Sequence, residues 1–405
     1  MRAAALALAA GCVVSGLGAA PAAAENPLCS SVQADSTPDQ VTMDNAPFGQ
    51  LGIGRAQQLV RRGAPPSRPV GVAVLDSGVA DGAAPVAVHH SVTGRSDVTY
   101  YHGTAVAGLI AGRLGIAPDA EIVDVRVYDD VDADKGETLT PDRLAEGLEW
   151  VARHAGDLNI RVANVSLAVD PSTRLERAVR AVRAAGVVVV AAAGNRPQQG
   201  VPFDDDFADD AAGPGEDAVG ILYPTSYDDV VSASSTADGS GATDVTQYVV
   251  ENSHTTVAVP TFDAVSSGLD GRPCVLEPLA TSWAAAEVSG VLALLWQLYP
   301  HDNDEQVVAR LVNTANGTPD GHDPLTGAGV VQPLEALTRP LDPARSGEVE
   351  RTVAADRASP PATAPRPPDD LLAGARNDAV WWGLVGGGVL VVALLLRPVL
   401  ARRRA

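Results

Sequence analysis

The chain has only three cysteines in 405 residues, Cys12, Cys29 and Cys274. Cys12 lies in a segment read below as removable, so at most one disulfide remains. In an oxidising exterior, Cys29 and Cys274 are expected to form it. Basic charge is also scarce, with 29 Lys and Arg against 50 Asp and Glu and a formal net charge of −21. No basic stripe is offered to a polyanion, which argues against nucleic-acid binding. Metal-ligand spacing is missing too. The Asp-rich stretch 202–217, with Asp204, Asp205, Asp206, Asp209 and Asp210, lacks the spaced ligands and central glycine of a calcium loop. It reads as a solvated surface insertion, and neither a metal nor another cofactor is expected. What the chain does have is 46% hydrophobic residues and many glycines, a composition for a packed α/β core and not for disorder.

Both ends carry apolar segments. Residues 1–24 hold Arg2, an Ala/Leu/Val run and the small residues Ala22, Ala23 and Ala24, the pattern of a secretory signal peptide cut before Glu25. The alternative is a lipoprotein-type cut at Cys12. At the other end, residues 379–400 are apolar up to Arg397 and read as a membrane anchor. Trp381 and Trp382 mark one interface, and Arg397 with the tail 401–405 marks the cytoplasmic side. The competing reading is a buried core helix. Between anchor and domain, residues 340–378 are rich in Pro, Ala, Arg and Asp and read as an extended tether. The expected topology is single-pass, with the bulk of the chain extracytoplasmic.

Residues 25–63 are too short to fold alone and are expected to pack on the domain 64–339 as an extension, with a helix over 55–62. Within the domain, short apolar runs at 70–75, 122–128, 160–167, 187–192, 230–235 and 255–260 read as strands. Helical periodicity marks 141–154, 172–185 and 303–314. Such alternation predicts an α/β fold: a mostly parallel sheet covered on both faces, with ligands beyond the carboxyl ends of the strands.

Four residues stand at such edges. Asp76 follows the first strand, His102 opens a helix rich in small residues, and Asn195 follows the strand at 187–192. Ser282 sits where a turn becomes a long apolar helix, near unpaired backbone N–H groups. Singly these read as a turn residue, a helix cap, a left-handed turn asparagine and an N-cap serine. Together they supply what nucleophilic serine catalysis needs: a nucleophile, a base, an acid that orients the base, and a donor for the oxyanion.

With its motifs Val74-Leu-Asp-Ser-Gly-Val79, His102-Gly-Thr104, Asn164-Val-Ser-Leu167, Ala191-Ala-Ala-Gly-Asn195 and Thr281-Ser-Trp-Ala-Ala285 in this order, the chain resembles the subtilisin-like serine proteases. The resemblance implies the three-layer subtilisin fold and an endopeptidase acting on protein or peptide substrates. It assigns Asp76, His102 and Ser282 as the triad and Asn195 as oxyanion donor. Val165, Ser166, Leu167 and Ala168, with Ala192, Ala193 and Gly194, are expected to pair with substrate backbone and wall the specificity pocket. The sequence of signal peptide, short extension, one protease domain, tether and anchor is similar to the mycosins, membrane-anchored proteases associated with type VII secretion. That resemblance implies a membrane partner and a secretion complex. The alternatives are a scaffold of the same fold with weak or no proteolysis, and a stand-alone surface peptidase. Three positions depart from the family pattern: Ala280 and Ala168 stand where glycine is usual, and Ala286 where proline is usual. A Cβ at Ala280 is expected to strain the turn if that position needs positive φ.

Overall fold

The computed structural model describes residues 26–35, 40–63, 66–197, 203, 207, 212–317, 321–350 and 372–402. The signal peptide, most of the Asp-rich stretch, the centre of the tether and the last three residues lie outside these. By contacts the chain forms two units, Met1–Glu350 and Arg351–Ala405.

In the first unit, α1 (Ala46–Gln50) and α2 (Ile53–Arg62) belong to the extension. There follow β1 (Gly71–Asp76), β2 (Val86–Ser91), α3 (His102–Ile110), β3 (Glu121–Arg126), α4 (Pro141–His154) and β4 (Ile160–Val165). Then come α5 (Thr173–Ala184), β5 (Val188–Ala192), β6 (Val230–Thr236), β7 (Thr255–Pro260) and a hairpin of β8 (Ala264–Ser267) and β9 (Pro273–Leu276). The unit closes with α6 (Thr281–Leu298), α7 (Asp304–Val312) and α8 (Pro333–Thr338). The expected strands and helices are present, shifted at their ends by a residue or two. The edge strand β2 and the hairpin were not foreseen. β2 is half-exposed and holds His89 and His90, while the hairpin strands are only four residues each.

The seven-stranded sheet has the order β2-β3-β1-β4-β5-β6-β7, parallel throughout. Alternate residues serve opposite faces, as the two-residue period of a strand requires. Val72, Val74, Val162, Val188 and Val190 join one core with α3 and α6. Ala73, Leu75, Ala163, Val189 and Ala191 join the other, with α4 and α5. From β1 the chain crosses to the edge strand β2, returns to place β3 between them, and then builds β4 to β7 outward on the other side. The order thus reverses beside β1, whose carboxyl end opens on the crevice where ligands bind in such sheets.

Local chemistry explains the helices. Thr140 caps α4, its Oγ1 accepting the Arg143 N–H at 3.3 Å, with Pro141 in the first turn. Leu144, Leu148 and Val151 form the buried stripe. α7 carries a reciprocal capping box between Asn303 and Gln306. α6 differs, being buried on every side from Thr281 to Gln297. A helix sandwiched this way needs apolar residues all round, which is why its sequence shows almost no polar face.

The extension is built into the domain. Cys29 and Cys274 are joined, with S–S 2.05 Å across a separation of 245 residues. The Val275 N–H donates to the Pro27 carbonyl, and Gln57 Nε2 donates to the carbonyls of Gly115 and Ile116. Part of the stretch read as tether also stays on this unit. The carbonyls of Leu341, Pro343 and Arg345 accept from Arg310, Gln306 and Asn303. Of the stretch read as a solvated insertion, Phe207 is buried and Phe203 packs beside it against Ala218, Leu222 and Val250. Both phenylalanines thus belong to an apolar cluster, which the aspartates around them in the sequence obscured.

In the second unit, α9 (Ala373–Arg402) begins before the expected anchor. Its segment Gly374–Arg397 is long and apolar enough to cross a membrane, by length and composition.

Candidate active site

Asp76 ends β1 with its carboxylate wholly buried. Opposite it, His102 is the first residue of α3, its side chain 13% exposed. Nδ1 of His102 lies 2.9 and 3.0 Å from the two Asp76 oxygens. A carboxylate only accepts, so Nδ1 carries the proton and Nε2 presents a lone pair. The close approach depends on Gly103: a Cβ there would stand 2.6 Å from the Gly78 carbonyl oxygen and 3.0 Å from the Asp76 Cβ. Asp76 also accepts the Ser77 N–H at 2.8 Å and the Tyr128 hydroxyl at 3.2 Å.

Ser282 lies in the first turn of α6 and is 7% exposed. It does not cap the helix; Ala280 is the cap residue, and Ser282 Oγ donates to the Ser166 carbonyl at 3.2 Å. No hydrogen bond joins Ser282 to His102 among the described residues. The ring of Trp283, the residue after Ser282, lies 5.0 Å from the ring of His102. Rotation about the Ser282 Cα–Cβ bond re-aims Oγ, and such catalytic hydrogen bonds commonly tighten only when substrate is bound. Ala280 has φ −152° and ψ 146°, ordinary extended backbone. The expected strain at this position is therefore absent.

Asn195 follows β5, and its place is set by α6. Its Oδ1 accepts the Thr281 backbone N–H at 2.7 Å and the Thr281 hydroxyl at 3.0 Å. Because a backbone N–H can only donate, Oδ1 must face Thr281, which leaves Nδ2 pointing away on an exposed residue. Asn195 is not in the left-handed region; that conformation belongs to Gly194, at φ +135°. A Cβ on Gly194 would come within 2.5 Å of Leu222 and 2.6 Å of Val250. The Gly194 N–H donates to Thr281 Oγ1 at 3.2 Å, and Asn252 Nδ2 holds the Ala193 carbonyl at 2.7 Å. Beyond Asn195, Arg196 forms a buried two-pronged pair with Glu216 at 2.7 and 3.0 Å.

The remaining expected residues border this cluster. Val165 ends β4 and Ala192 ends β5, side by side in the sheet. Ser166 Oγ donates to the Ser282 carbonyl at 2.8 Å, and Asn164 and Ser289 continue that network. The backbone groups of Leu167 and Ala168 have no hydrogen-bond partner among the described residues. Ala168 packs against the Leu222 cluster.

Sequence reasoning passed over three residues. Tyr128 touches Asp76, Thr281 joins Asn195 to Gly194, and Trp283 packs beside the His102 ring. Tyr128 stood at the end of an apolar run and Thr281 and Trp283 flanked the serine, with no separate signal for any of them. Burial raises the pKa of the Tyr100, Tyr101 and Tyr128 hydroxyls, for Tyr128 well above its ordinary value, so they remain protonated donors. A cavity of about 600 Å³ beside Tyr100 and Tyr101 is walled in part by Ser30 and Val32 of the extension.

The subtilase family profile matches residues 67–329. The chain belongs to the subtilase family. Mycosin-1 of Mycobacterium tuberculosis is 30% identical over 341 residues, covering 74% of this subtilase and 74% of that protein. Subtilisin BL of Lederbergia lenta is 32% identical over 288 residues, 67% of this chain and 91% of that one. Among solved structures, MycP1 from the ESX-1 type VII secretion system superposes with a TM-score of 0.58 at 25% identity, over 80% of this subtilase and 96% of that chain. The family's enzymes are serine proteases, so this subtilase is a subtilisin-like serine endopeptidase, similar to the mycosins.

Proposed function

We propose that Asp76, His102 and Ser282 act as the triad of a membrane-anchored, extracytoplasmic endopeptidase that works beside a type VII secretion complex. The observation that carries the chemistry is the bonding of His102 Nδ1 to buried Asp76, which leaves Nε2 as the ring nitrogen with a lone pair to act as base. In this reading Nε2 takes the Ser282 proton as Oγ attacks the scissile carbonyl carbon. The oxyanion is held by Asn195 Nδ2 and by the Ser282 backbone N–H, which as a first-turn helix donor has no intrahelical acceptor. His102 then passes the proton to the leaving amine. Water repeats the sequence on the acyl-enzyme. Residues 165–168 and 192–194 receive the substrate as added strand, and no cofactor enters any step. Purified full-length protein should label with a fluorophosphonate and Ser282→Ala should not; equal labelling of the two refutes the triad.

The location rests on α9, on the arginines that follow its apolar stretch, and on similarity to mycosins and to MycP1. External protease on intact cells is expected to digest the domain and spare an anchor fragment. A second reading, that the protein also acts as a scaffold, is favoured by Ser282 being engaged with the Ser166 carbonyl and not with His102. Export measured in a deletion strain complemented with Ser282→Ala separates the roles. Export retained there but lost without the protein indicates scaffolding; equal loss in both ties secretion to proteolysis.

A further inference from the structure

Asp76 is held by more than the histidine it orients. β3 ends at Arg126, and the chain runs on beside β1 for another step, the Val127 N–H donating to the Asp76 carbonyl at 2.9 Å. That register delivers Tyr128, 3% exposed, to the far side of the Asp76 carboxylate. Its ring is fixed edge-on by Tyr100 at 6.1 Å and by the core against α4. Its hydroxyl has little freedom and donates to Asp76 Oδ1, the oxygen that also accepts from Ser77 and His102.

We infer that Tyr128 is a positioning residue of the catalytic machinery, acting on His102 through Asp76. The inference rests on the triad reading above. Two physical consequences follow from a third donor on one carboxylate. The donor fixes the rotation of the carboxyl plane, and so the direction in which the imidazole points. It also disperses carboxylate charge. A carboxylate with fewer donors stabilises a neighbouring imidazolium more strongly, because nearby negative charge favours the protonated ring. Burial keeps Tyr128 protonated, so the hydrogen bond persists across the working pH range. Tyr128 touches no reacting atom, and its effect is entirely through the charge and orientation of Asp76.

The test needs no knowledge of the substrate. The second-order rate of fluorophosphonate labelling of Ser282 is measured against pH for the full-length wild type, Tyr128→Phe and Tyr128→Leu, each checked by thermal melting. Tyr128→Phe keeps the ring and loses only the donor. Its plateau rate is expected to fall by about 3–10-fold, and the acid limb of its profile to move up by roughly half a pH unit. Tyr128→Leu, without ring or hydroxyl, should show the same shift of the limb and a lower melting temperature. A role in packing alone predicts that Tyr128→Phe traces the wild-type profile while only Tyr128→Leu is impaired, and that result overturns the inference. A wild type that does not label at all refutes the triad, and this inference with it.

Discussion

Five residues beyond Ser282, in the middle of the sandwiched helix, stands a carboxylic acid with nothing to bind. Glu287 is completely buried, and neither carboxyl oxygen has a hydrogen-bond partner among the described residues. Burial alone pushes its pKa well above the ordinary carboxylic-acid value of 4.5, so the folded protein holds it as the neutral acid. An unfolded chain releases that proton above about pH 4.5. The unfolded state therefore binds fewer protons than the native one, and stability falls as pH rises from 4.5 towards the folded pKa. The slope for one proton is about 1.4 kcal/mol per pH unit while the pH lies between the unfolded and folded values. Below pH 4.5 the term is flat, and what remains is an unpartnered neutral acid costing about 1–3 kcal/mol. Glu287→Met conserves most of the volume and removes both terms. Melting temperatures of the two proteins, scanned at one rate from pH 4 to pH 8, should show the variant ahead throughout. Its lead should widen as pH rises above 5, by about 3 °C per pH unit inside that window, taking about 2 °C per kcal/mol for a large domain. A gap that stays constant with pH, or a variant less stable than wild type, would refute the reasoning.

Two further outcomes are expected. Cys29→Ala should lower stability by about 4–5 kcal/mol, since the bond closes a loop 245 residues long, and reductant should bring the wild type to the same melting temperature. Ala168→Gly should shift preference towards larger residues before the scissile bond by about 1–3 kcal/mol, read by peptide-library profiling; an unchanged profile would remove Ala168 from the pocket wall.

Much of the molecule was written locally. Strands such as Val70 to Leu75 are buried on both faces, so they appear as unbroken apolar runs that need no knowledge of their neighbours. Helices such as α4 carry their own caps and a single apolar stripe. Asp76, His102, Asn195 and Ser282 sit in short motifs whose glycines and small residues are demanded by close packing, and these too are visible in one dimension. What only the tertiary structure decided is every relation between distant segments. Tyr128 became a partner of Asp76 because β3 lies beside β1, a pairing of residues 52 apart. The direction of the Asn195 amide came from the Thr281 N–H, 86 residues away. Ala280 was suspected of strain from its Cβ, yet its backbone is extended, because the path of the turn is set by the segments the fold joins there and not by the residue usual at that position. Phe203 and Phe207 were hidden among aspartates because burial depends on what the fold places opposite a side chain. Glu287 is the sharpest case: in sequence it is one charge on a helix, and only enclosure by the surrounding core makes it a buried acid.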